Sequence, residues 1–229
     1  MIYHIAINCR FNHIPLSTDK IKAFIVAFQQ YHICLYRACF TMGLTSSLPG
    51  RLTEELLEDY LQLTYLTRND IVKLVKKTML VSPDYETLNP HHRYDLDTII
   101  SLLPELKYNP FRDRILRIFS SEKDGRLSFE DMLDLCSAMS ENCPYEVKAR
   151  WAFQIYDFNG DGSIDAEDIG IMVDRLTNGK INSELDKSHI ANVLLKAINL
   201  QKSGSINQLE FEHAIGKMPD FASTFSFKI

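Results

Sequence analysis

The sequence predicts an all-α protein made of repeated helix–loop–helix units, and three observations carry that prediction. A twelve-residue stretch dense in oxygen-bearing side chains, Asp157 to Asp168, is flanked on both sides by apolar residues at helical spacing. A related stretch runs from Asn199 to Glu210, and a third from Ser120 to Asp131. The chain has 229 residues, 45% hydrophobic and 24% charged, which suffices for a packed core and excludes disordered, collagen-like and disulfide-scaffold classes. A formal charge of −5 argues against a phosphate-backbone binder, so nucleic acid is not an expected partner. No two of the five cysteines are spaced as CxxC, so neither a thiolate zinc knuckle nor a disulfide framework is suggested, and a reducing, cytoplasmic setting is the plainer reading. The longest apolar stretch, 21–40, carries Lys22, Gln29, Gln30, His32 and Arg37, too polar to span a membrane.

Taken in chain order, residues 1–41 form an atypical extension, with Arg10, Lys20, Lys22 and Arg37 against Asp19 giving +3 and leaving −8 for the rest. At the boundary, Met42-Gly43-Leu44-Thr45-Ser46-Ser47 matches the N-myristoylation pattern, but internally. Gly43 is a lipidation site only if translation starts at Met42; otherwise Met-Gly is a chance dipeptide. A first helix–loop–helix is implied by Ile71, Leu74, Val75 and Thr78, then by Leu96, Ile99, Ile100 and Leu103. Thr67-Arg-Asn-Asp70 reads as a capping box at its start. The stretch between, Ser82 to Arg93, lacks oxygen ligands at the right positions and is not expected to bind metal.

The later loops carry the chemistry. Asp157, Asn159, Asp161, Asp165 and Asp168 place side-chain oxygens at positions 1, 3, 5, 9 and 12, Ser163 offers its carbonyl at position 7, and Gly162 sits at the sharp turn of position 6. This is an EF-hand loop, with Ile164 at position 8 forming the short strand that pairs two loops. In the loop from Asn199, the candidates Asn199, Gln201, Ser203, Ser205 and Glu210 include one carboxylate, too little charge to offset calcium dehydration well, so a metal-free hand is the plainer reading and weak binding the alternative. The Ser120 loop, with serine at position 1 and Lys123 inside, reads as vestigial. Four hands pair into two lobes because one hand alone leaves apolar helix faces and a strand edge uncovered. The expected divisions are 42–142 with two degenerate hands, 143–217 with hands three and four, and a tail at 218–229.

Asp168, one methylene shorter than the usual glutamate, offers calcium one oxygen rather than two, which narrows discrimination against magnesium. Ca2+, Mg2+ or both are therefore the expected cofactors. Amphipathic paired hands create an apolar groove, which Met132, Met139, Met172 and Met218 either line or support from the core. The tail residues Phe221, Phe225 and Phe227 are too apolar to be left loose, and are expected to form a lid displaced by a partner helix. No nucleophile elbow, P-loop or HExxH is present, so no enzyme is expected.

Aspartate at position 12 of the third loop, Leu106 to Ile115 (LKYNPFRDRI), Ala152 to Phe158 (AFQIYDF) and the ending Pro219-Asp220-Phe221-Ala222-Ser223-Thr224-Phe225 together resemble the calcium- and integrin-binding protein family. The likeness runs from about Gly43 to Ile229. It implies a four-hand regulatory protein with metal in the third and fourth loops, binding amphipathic helices from cytoplasmic tails of membrane proteins, integrin α-subunits among them. It also implies a start at Met42, acylation of Gly43 and peripheral association with the inner face of the plasma membrane. Two other readings are an auxiliary subunit of a sensory mechanotransduction channel and an enzyme regulator resembling calcineurin B.

Overall fold

The computed structural model describes residues 48–81, 89, 91–181, 183–198, 203–218, 220–227 and 229. The extension 1–41, Gly43, Asn199 and Gln201 lie outside the described residues. These divide into two compact units, Pro144–Phe225 in one, and 48–143 with Ser226–Ile229 in the other.

The unit containing 48–143 begins with α1, Glu54–Leu63, whose Thr53 hydroxyl accepts from the Leu56 amide at 3.1 Å. In α2, Arg68–Val81, the expected box is present: Asp70 accepts from the Thr67 amide at 3.1 Å, and the Asp70 amide donates to the Thr67 hydroxyl at 3.3 Å. Its buried stripe, Ile71, Val72, Leu74, Val75 and Thr78, matches the helical periodicity.

Asp95 caps α3, Leu96–Leu102, and Pro104 opens a 3₁₀ turn directly after it. Of the expected stripe, Ile99 and Leu103 are fully buried and Ile100 is half-buried, but Leu96 sits in the first turn and is 39% exposed, and Leu102 and Leu106 join the core in its place. Asn109 takes the Phe111 amide at 2.8 Å and so turns the NPF segment into α4, Arg112–Phe119. A bridge between Tyr94 and Leu127 joins the two loops, and α5, Phe129–Ala138, supplies Phe129, Met132, Leu135 and Cys136 to the core. Cys136 and Cys143 are both buried.

The other unit holds α6, Tyr145–Tyr156, then β1, Ser163–Ile164, α7, Ala166–Thr177, and α8, Glu184–Ile198. After these come β2, Ile206–Asn207, α9, Gln208–Gly216, and α10, Phe221–Thr224. The strands pair antiparallel, Ser163 with Asn207 and Ile164 with Ile206, so two loops share one small sheet. Phe153 and Tyr156 of α6 meet Phe211 of α9 edge to face, at 5.7 and 6.2 Å between ring centroids. Met132, Met139, Met172 and Met218 are all buried.

Candidate metal centre

The third loop is shaped by its own side chains. Gly162 adopts φ +83°, a left-handed conformation that costs other residues energy, and this lets position 7 turn back toward position 1. Asp157 fixes the turn, its two oxygens accepting the amides of Gly160 at 2.7 Å and Gly162 at 2.9 Å. Asp161 takes the Ser163 amide at 2.8 Å, its hydroxyl at 2.9 Å and the Asn159 side-chain amide at 2.9 Å. Those bonds, the Ser163 hydroxyl first, hold the Asp161 carboxyl below the ordinary carboxylate range. Asp165 caps α7 through the amides of Glu167 and Asp168.

Asp168 closes the loop from inside. Only 1% exposed, it accepts from the Phe158 amide at 2.9 Å and the Asp165 amide at 3.2 Å, so one carboxylate on α7 spans position 2 to position 9. Burial pushes its carboxyl up, and the neighbouring charges of Asp165 and Asp157 act the same way against those two amides. An oxygen-only donor set with four carboxylates suits a hard divalent cation, and the residues fit calcium or magnesium. The loop carboxylates here accept backbone amides, and among the described residues no three His, Cys, Asp or Glu side chains stand together as a ready metal cage.

The fourth loop keeps the frame with fewer donors. Gly204 has φ +91°, Glu210 is 5% exposed and forms a capping box with Asn207, and the Ser203 hydroxyl donates to the carbonyl of Ser205 at 2.9 Å. That last bond engages the oxygen a metal would use at position 7.

In the same unit, Phe221 and Phe225 are buried and stack at 5.5 Å. Phe227, in the other unit, is also buried, and its amide donates to the Met139 carbonyl at 3.0 Å. Two basic residues outside the sequence-expected set act here. Lys148 of α6 is fully buried, and its ammonium donates to the carbonyls of Ala222 at 3.0 Å and Phe225 at 3.1 Å, where α10 ends. Arg93 reaches from the first loop into the second, expected from sequence to be a degenerate turn with no cation. Lys148 lies one helical turn before Ala152, in line with Ile155, on the buried side of α6, and that spacing is the available signal; nothing in the sequence marks Arg93.

The EF-hand domain pair family matches residues 146–216. Calcium and integrin-binding family member 2 of Homo sapiens is 38% identical over 184 residues, covering 77% of this chain and 96% of that protein. Member 2 of Drosophila melanogaster is 36% identical over 185 residues, and member 3 of Homo sapiens 37% over 182, with the same coverage of 77% and 96%.

Proposed function

This chain belongs to the calcium and integrin-binding family of EF-hand proteins, and from that premise we propose that it is a calcium- and magnesium-responsive adaptor for amphipathic helices in cytoplasmic tails of membrane proteins, integrin α-subunits among them. At the coarser level it is a calcium-binding regulatory protein and not an enzyme. The observation that carries the reading is the docked tail. A four-residue helix is far too short to persist alone, so α10 is held by buried Phe221 and Phe225 and by the Lys148 ammonium on its last carbonyls. A partner helix bearing aromatic anchors offers the same chemistry and competes for those contacts.

Asp157, Asn159, Asp161, Asp165 and Asp168, with the Ser163 carbonyl, would hold the cation. A bound divalent ion supplies the positive charge that four adjacent carboxylates need to converge. Asp168 then transmits the loop's state, because its carboxylate already ties both loop ends to the first turn of α7. With aspartate at position 12, the loop is magnesium-occupied when calcium is low and exchanges when calcium rises. Equal calcium affinity with and without millimolar magnesium, measured by calorimetry, disproves that exchange. For the tail, Phe221→Ala with Phe225→Ala leaves binding of an integrin-tail helix unchanged or tightens it; marked weakening refutes the lid. Myristoylation of Gly43 and residence at the inner face of the plasma membrane belong to the same proposal. One such chain binds with only ~10⁴ M⁻¹, so the target's tail supplies the second contact. Mass spectrometry of the mature amino terminus tests this.

A further inference from the structure

The loop from Ser120 to Asp131 has a metal-binding shape without the usual metal-binding sequence. Gly125 holds φ +79° at position 6, Leu127 at position 8 bridges Tyr94 through bonds of 2.8 and 3.3 Å, and Ser128 and Asp131 form the capping box that begins α5. Asp131 accepts from the Ser121 amide at 3.2 Å and the Ser128 amide at 3.0 Å, the positions 2 and 9 that Asp168 ties together in the third loop.

What occupies this loop is a guanidinium. Nη2 of Arg93 donates to the Ser120 hydroxyl at position 1 (2.8 Å), Asp124 at position 5 (2.8 Å) and the Arg126 carbonyl at position 7 (2.7 Å). Nη1 donates to the Ser121 hydroxyl at 2.9 Å and to Asp131 at position 12 at 3.4 Å, while Nε lies 3.7 Å from Glu122 at position 3. Oxygens from positions 1, 3, 5, 7 and 12 thus surround one side chain that is 12% exposed. An ordinary surface pair engages one carboxylate with its partner and leaves the rest to water. Here three oxygens converge on a single nitrogen with two hydrogens, and buried Nε has no hydrogen-bond acceptor. That crowding of acceptors around a point suits a spherical cation better than a planar fork.

We propose that the Arg93 guanidinium is the resident cation of the second loop, and that removing it uncovers a latent divalent-cation site formed by Ser120, Glu122, Asp124, the Arg126 carbonyl and Asp131. Because arginine stays protonated throughout the physiological range and is covalently attached, this loop is permanently loaded and no chelator strips it. The unit that contains it keeps its loop pairing without calcium. Calcium response then falls to the third loop, a corollary that rests on the proposed function above.

Calorimetric calcium titration of the full chain tests the assignment. Arg93→Ala binds one more calcium than the unsubstituted protein, with Kd of roughly 10⁻⁴ to 10⁻³ M, as expected of a charge-poor loop. Adding Asp124→Asn abolishes the extra site. An unchanged calcium count in Arg93→Ala, or an extra site that survives Asp124→Asn, overturns the proposal. Asp157→Ala removes the third-loop site whichever residue stands at 93, so failure here and failure of the adaptor's metal site are distinct results. Should Arg93→Ala not fold, nitrogen-15 NMR of the unsubstituted protein in chelator decides. Separate, slowly exchanging Nη signals from Arg93 that calcium leaves in place support a held cation; one averaged signal overturns it.

Discussion

Lys148 and Asp124 show how one side chain sets the behaviour of a loop or a tail. Fully buried, the Lys148 ammonium satisfies two tail carbonyls, and buried acceptors left unpaired cost about 1–3 kcal/mol each. Lys148→Met is therefore expected to destabilise the protein by about 2 kcal/mol in urea unfolding and to raise protease sensitivity near Phe225. Asp124 carries a prediction in pH. Hydrogen bonds from Arg93, then from the Arg126 amide, hold its carboxyl well below the ordinary carboxylate range. A depressed carboxyl contributes stability above its unfolded pKa of about 4 and loses it as the pH falls through the folded value. Asp124→Asn should thus lower stability at neutral pH and make the decline below pH 4 shallower, as followed by thermal melts across an acid series.

At the scale of elements, the pairing of β1 with β2 joins the charged third loop to the poor fourth one. Ile164 and Ile206 are both buried there, and truncating a buried isoleucine to alanine costs about 2–5 kcal/mol. Ile164→Ala is expected to fall in that range and to weaken calcium binding in the third loop, read by urea unfolding and calorimetry on the same variant. The element most legible in the sequence was α2, whose Thr67–Asp70 box and periodicity agree; the caps at Asp165 of α7 and Asn207 of α9 come from the structure, each at position 9 of its loop. In α3, the spacing finds Ile99 and Leu103, while the cap at Asp95 and the stop at Pro104 fix the ends and leave Leu96 exposed in the first turn. The third loop was legible as a ligand set because its oxygens are local. The Arg93 cage was not, because its donor and its acceptors are separated by about thirty positions and come together beside the Tyr94–Leu127 bridge.

For the whole molecule, the proposed assignments give the two units different sources of positive charge for their loop pairs, a divalent cation in one and Arg93 in the other. Native-state hydrogen exchange separates them: chelation should speed exchange at the β1–β2 amides of Ile164 and Ile206 while leaving Tyr94 and Leu127 protected. Equal acceleration at both pairs would contradict a calcium response confined to one unit. Burial drives the Cys136 thiol far above its ordinary value, and only the thiolate attacks an alkylating reagent. A maleimide adduct mapped to that sulfur by mass spectrometry thus accumulates only when α5 leaves its core, giving each preparation an internal clock for the opening of that half without any engineered label.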